Sequence, residues 1–208
     1  MAKQIEGVFE NVLDCAKKEF LLRGYKDASL RTIAQEAHTS TGSIYTRFGD
    51  KEGLFRAIVE PAANGLKQLF VIMQEGFHSL DADTQRSDEG KYSADGMVHM
   101  LDFIYDNFDC FRLLLDASYG TLYQNFVDEL VDIEVEYTCK YLQVLESEAV
   151  ISGQMTRDFI HIVVTSYVSG MFETVRHGMS RADAARYTDM LGRYHRAGFC
   201  TILGFPIH

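Results

Sequence analysis

Between Ser40 and Gly49 the chain places Thr41, Gly42, Ser43, Tyr45, Thr46 and Arg47 on the outward side of a short helical pattern whose inward positions are Ile44 and Phe48. Hydroxyl groups bond phosphate oxygens or base edges, a guanidinium pairs bidentately with guanine, and a glycine lets the backbone come close to a ligand. Ser29 has the type and position of a helix N-cap, and the free N–H groups of the helix it opens form an anion site. Lys51, at the start of a later helix, offers a second contact to phosphate. These residues suit a nucleic-acid face, although by composition alone they also suit a solvated surface helix.

The elements that must position this face are legible from hydrophobic periodicity. Ile5, Phe9, Val12, Leu13, Ala16 and Phe20 recur at helical spacing, which predicts an amphipathic helix over 4–23 stopped by Gly24. A second helix of barely two turns starts at Ser29 and turns Leu30, Ile33, Ala34 and Ala37 to one side. After His38-Thr39, a third is capped by Ser40. Gly49-Asp50 ends that helix and caps the next, which Pro61 is expected to bend or break. Further on, 66–77 reads as helix and 78–95, rich in Asp, Ser, Thr and Gly, as a loop. Helices are then expected over 97–108, 110–117 and 122–148, with two closing ones at about 157–177 and 181–203.

Composition sets the outer limits. A chain of 208 residues, 47% hydrophobic, buries a sizeable core without disulfides or metal, and prolines only at 61 and 206 leave it open to helix almost throughout, so the expected class is all-α. Cys15, Cys110, Cys139 and Cys200 are scattered, with no CxxC pair and no histidine at ligand spacing, which suggests neither a zinc site nor a disulfide framework and fits a reducing cytoplasm. No cofactor is called for. The best uncharged run, Phe159 to Phe172, is too short for a membrane span, which needs roughly twenty residues, and no export signal is visible.

The net charge of −10 argues against nucleic acid until its distribution is considered. Residues 1–60 are balanced, with nine basic and nine acidic side chains, while 61–208 carry 11 basic against 21 acidic. From Arg23 to Arg56, six basic residues face four acidic ones, the local surplus a small DNA-reading head requires.

The order of residues sharpens this. Gly24-Tyr25-Lys26-Asp27-Ala28-Ser29-Leu30-Arg31-Thr32-Ile33-Ala34-Gln35-Glu36-Ala37, followed by Ser40-Thr41-Gly42-Ser43-Ile44-Tyr45-Thr46-Arg47-Phe48-Gly49-Asp50-Lys51-Glu52-Gly53-Leu54-Phe55, closely resembles the N-terminal signature of the TetR family of transcriptional regulators. The resemblance implies a three-helix helix-turn-helix domain over 1–52 and a helical ligand-binding and dimerisation domain over 53–208. It implies that Ser29 caps the second helix and touches phosphate and that Arg31 reaches a base. It places Thr41, Ser43, Thr46 and Arg47 on the recognition-helix contacts, Tyr45 on the backbone and Lys51 on a phosphate. Two departures stand out. His38-Thr39 replaces the usual Gly-Val, at a position that often needs positive φ, which histidine tolerates better than most residues. Thr41 stands where many members carry Lys or Arg, so one phosphate contact is missing.

The family habit further implies a repressor that binds a palindromic operator as a homodimer, paired through the last two helices, and is released by a small-molecule effector. Small residues there, Ser166, Ser169, Gly170, Ala185, Gly192 and Gly198, permit either close pairing between subunits or packing within one chain. Phe70, Met73, Met100, Phe103, Tyr123, Phe126, Tyr137, Tyr167 and Met171 are candidates to line an apolar effector pocket, and the acidic balance of this part favours a cationic or neutral effector. Pro61 is expected to serve as a hinge between the parts. An enzyme is disfavoured by the lack of GxSxG, HExxH, Walker or GxGxxG segments. A helical adaptor that keeps this fold but binds a protein stays open as the alternative.

Overall fold

The computed structural model describes residues 2–87, 91–145 and 148–204, with side chains from residue 9 onward except that of Glu148, so that Ile5 of the first apolar stripe lies outside the described side chains. Among the described residues every regular element is an α-helix: α1 (Ala2–Asp27), α2 (Leu30–Glu36), α3 (Thr41–Phe48), α4 (Lys51–His78), α5 (Ala82–Ser87), α6 (Lys91–Asp106), α7 (Phe108–Asp116), α8 (Phe126–Leu145), α9 (Glu148–Ile151), α10 (Arg157–Arg176) and α11 (Arg181–Leu203). None of them is long and apolar enough to cross a membrane.

The helices gather into two compact units, residues 1–65 with 107–126 and residues 66–106 with 127–208. The first unit thus extends past residue 52 and takes in a second segment of chain. The reason is packing: α7 lies against α1, with Phe111, Leu113 and Leu114 buried, and the Tyr25 N–H donates to the Ala117 carbonyl at 3.1 Å. Val12, Ala16 and Phe20 of α1 are fully buried, and the Phe20 ring meets Phe55 of α4 edge-on at 5.2 Å. Gly24, at φ 73° and ψ 166°, interrupts α1 where the sequence places a stop, and one further turn follows before α2.

Two expectations fail. Helix α4 runs unbroken through Pro61. A proline costs the helix one N–H and crowds the preceding turn, but here its ring faces solvent while Ile58, Val59, Ala62, Ala63 and Leu66 are buried on both sides of it, so core packing holds the two stretches in one helix. The expected loop at 78–95 also contains α5 and the start of α6, with residues 88–90 outside the described ones. Helix α5 forms because Asp81 accepts from the Thr84 N–H at 3.0 Å and from its hydroxyl at 2.7 Å, while buried Gln85 donates its amide to the Leu80 carbonyl at 2.8 Å. Composition signals turn-forming residues but not that they close one another's hydrogen bonds.

In the second unit α10 packs on α11, and α11 on α6 and α9. Thr156 caps α10 and Ser180 caps α11, each accepting from the N–H three residues on. Arg181 holds α11 to α6 through Asp102 at 3.3 Å and through Asp106. Gly170 lies close against Leu191: a Cβ there would meet Leu191 Cδ2 at 2.9 Å, so the leucine tip would have to shift.

Candidate functional site

Helix α3 is secured from three directions. At its start the Ser40 hydroxyl accepts from the Ser43 N–H at 3.1 Å, one of the N-terminal donors that a helix cannot satisfy for itself. On its inner side Ile44 is buried, while Phe48 is half-buried and meets Phe9 edge-on at 6.2 Å. At its end Gly49 sits at φ 82°, and the Asp50 carboxylate accepts from the Gly53 N–H at 2.7 Å to open α4. Gly53 must be glycine, because a Cβ would lie 1.9 Å from the Phe48 carbonyl oxygen. The α2–α3 turn keeps the left-handed residue that the sequence asks for: His38 has φ 52°, with no glycine to supply it.

So anchored, α3 turns Gly42, Ser43, Tyr45, Thr46 and Arg47 to solvent, with Thr41 half-exposed at its first turn. Tyr45 is 53% exposed, a large apolar ring with no cover. The Thr46 hydroxyl donates to the Gly42 carbonyl at 2.8 Å and keeps its lone pairs, so it is set to accept a hydrogen bond. The Arg47 guanidinium rests 4.9 Å above the Phe9 ring, which orients the charge while leaving it exposed. Ser29 caps α2 by accepting from the Thr32 N–H at 3.3 Å, and its own N–H donates to Glu19 at 3.1 Å; Arg31 is exposed beside it.

Lys51 is placed differently from a free phosphate ligand. Its ammonium donates to the carbonyls of Lys26 at 2.9 Å and Ala28 at 3.0 Å and lies 5.0 Å over the Tyr25 ring, so it ties the end of α1 to the start of α4 and has one donor left. Sequence reasoning did not foresee this brace.

In the second unit Phe70, Met97, Met100, Leu130, Glu134, Tyr167, Val168 and Met171 enclose a cavity of about 30 Å³. Four of the nine residues expected at a pocket meet there: Phe70, Met100, Tyr167 and Met171. Met73 instead packs on Gly96, and Tyr137 is covered by His78 and Lys140. Phe103 is half-buried and outside the lining. Tyr123 and Phe126 belong to the first unit, where Tyr123 donates to Glu60 at 3.2 Å and Phe126 packs on Phe111. Met97, Leu130, Glu134 and Val168 were missed. The four-residue step from Leu130 to Glu134 on one side of α8 was the available signal, hidden because a carboxylate is not sought on an apolar stripe.

Burial pushes the Glu134 carboxyl up to about 7, against the pull of the Thr138 hydrogen bond. The carboxyl group itself is buried although the residue keeps some exposed surface. The Tyr167 hydroxyl is pushed up to about 12 by burial, and then by the charges of Glu134 and Asp189.

On α11 an apolar stripe stays uncovered: Tyr187, Met190, Tyr194 and Ile202, with Ile162 exposed on α10. Of the small residues in these helices Ser166, Ala185 and Gly198 are exposed, whereas Gly170 and Gly192 face Leu191 and Tyr167 of the same chain.

Comparison with known proteins agrees with this geometry. Residues 12–58 match the family described as bacterial regulatory proteins, tetR family. An HTH-type transcriptional regulator from Haemophilus influenzae is 29% identical over 131 residues, 58% of this chain and 59% of its own length, so the match spans about three-fifths of that relative. The HTH-type transcriptional regulator AcrR of Shigella flexneri is 25% identical over 177 residues, 79% of this chain and 76% of its own. The crystal structure of a TetR-like transcriptional regulator from Rhodococcus sp. RHA1 superposes with a TM-score of 0.61 at 18% identity, covering 93% of this chain and 96% of that one.

Proposed function

We propose that the chain is a transcriptional regulator of the TetR family, a repressor that binds a palindromic operator as a homodimer in the cytoplasm and is released by a small molecule. Residues 1–52 carry DNA reading, and 53–208 carry dimerisation and effector binding. The observation that supports this most is the exposed face of α3, where Tyr45, Thr46 and Arg47 stand on a helix held from behind by Ile44. In the groove, Arg47 and Thr46 reach base edges, Tyr45 and Ser43 reach the phosphate backbone, and Gly42 admits close approach. Ser29 and Arg31 flank the same groove from α2. The one donor that Lys51 retains is left for a phosphate.

One such helix reads only a few base pairs, so useful affinity requires two copies. The uncovered stripe Tyr187, Met190, Tyr194 and Ile202, with Ile162 of α10, suits burial against its own equivalent in a second copy. A ligand that fits one arrangement of the dimer better than the DNA-competent one would release the operator.

Selection of bound fragments from random DNA with the purified protein tests this. A palindrome is expected whose half-site centres lie about one or more helical turns apart. Recovery of no enriched sequence would overturn the reading and favour a protein-binding adaptor.

A further inference from the structure

The accessible surface of the cavity in the second unit is apolar throughout. Phe70, Met97, Met100, Leu130, Val168 and Met171 supply rings, branched chains and thioethers. Among the described residues that line it, Glu134 is the one that carries a charge, and Tyr167 contributes its ring. Gln74 donates its amide to one Glu134 oxygen at 2.6 Å, and the Thr138 hydroxyl donates to the other at 3.2 Å. Both donors are neutral. A carboxylate removed from water needs an opposite charge to be stable in its ionised form, and amide and hydroxyl donors compensate only in part. Burial accordingly holds this carboxyl near neutrality, against its own acidity.

We propose that Glu134 is the recognition group of the effector site and that the effector is a hydrophobic organic cation, an ammonium or amidinium compound whose apolar body takes the place of the methionine and phenylalanine contacts. This rests on the regulator reading above. The ligand's charge supplies what the wall lacks: an ammonium against Glu134 stabilises the carboxylate and makes a charge-assisted hydrogen bond in apolar surroundings. An anion in the same place would meet either a like charge or a carboxyl forced to stay protonated.

The size of the cavity carries a second consequence. At about 30 Å³ it holds no more than a water molecule, so an effector binds a state in which the walls have moved. Met97, Met100 and Met171 are the residues best able to move, being unbranched and free about three side-chain bonds. Binding therefore selects an opened arrangement of α4, α6, α8 and α10, which is the differential affinity that release of DNA requires.

Three probes with one apolar body test the charge: 4-phenylbutylamine, 4-phenylbutanol and 4-phenylbutyrate, titrated calorimetrically into the full-length protein at pH 7.5 without DNA. The amine is expected to bind at least tenfold more tightly than the alcohol, and the carboxylate to bind more weakly than both. In Glu134→Gln the preference for amine over alcohol should fall to within about twofold. Glu134→Asp, which keeps the charge, should retain part of it. Carboxylate binding as tight as the amine's, no binding of the amine, or an amine preference that survives in Glu134→Gln would each overturn the inference. The DNA selection decides the regulator reading separately. An enriched palindrome with no amine preference overturns only the charge assignment. An amine preference with no enriched palindrome supports it and removes the regulator reading.

Discussion

The reading head around α3 and the cavity around Glu134 solve opposite problems. In the head, the residues that meet a ligand lie next to one another in sequence and are exposed, and a few local devices hold them: the Ser40 cap, the Gly49 stop, the Asp50 cap and one buried isoleucine. In the cavity, the contacting residues come from α4, α6, α8 and α10, and all are buried or half-buried. A polar side chain on the head therefore costs the fold almost nothing, whereas the one carboxyl in the cavity is opposed by the burial that creates the site. Function is separable from stability in the first region and bound up with it in the second.

The sharpest test of that separation is within α3. Ile44→Ala removes the only fully buried side chain of the helix and is expected to cost about 2–5 kcal/mol, seen as a lowered midpoint in urea unfolding. Tyr45→Ala, one residue away and exposed, should change stability by less than about 0.5 kcal/mol yet weaken operator binding about tenfold. Equal losses of stability in the two variants would break the comparison.

In the cavity the coupling shows as a dependence on pH. Because burial raises Glu134 from 4.5 to about 7, the stability of its protonated form is fully present below the unfolded value and is lost as pH rises through about 7. Glu134→Gln cannot ionise. It should match the wild-type protein near pH 4.5 and exceed it by about 3 kcal/mol above pH 8, read from thermal midpoints across that range. A difference that does not change with pH would mean that the carboxyl is as well hydrated as one on the surface.

The smallest expected effect concerns Lys51, which belongs to both kinds of site. As a phosphate ligand it adds about one unit to the slope of log affinity against log salt, and Lys51→Ala should remove that unit. An unchanged slope would leave Lys51 as a brace between α1 and α4 and nothing more.

The head was readable because each of its signals acts over a few residues. Ser29 and Ser40 cap within three positions, Gly49 ends a helix at its own φ, and the need for positive φ at His38 is met by the residue that stands there. Where a local signal met a longer-range force, it lost. Pro61 is a helix breaker in isolation, but burial of its neighbours on α4 keeps the helix whole. Tyr137 and Tyr167 are alike in sequence; the first is covered by His78 and Lys140 and the second faces the cavity, a difference set by which helices lie opposite.

From its residues alone the chain determined an all-helical protein, the order of α1 to α4 and the side of α3 that faces outward, since caps, stops and apolar periodicity are short-range interactions written in adjacent positions. Only the tertiary structure decided that Lys51 spends two of its protons on carbonyls, that α7 joins the first unit, and that Glu134 shares a cavity with Phe70, Met100, Tyr167 and Met171. Those outcomes depend on contacts between residues tens of positions apart, which no local signal fixes before the chain is packed.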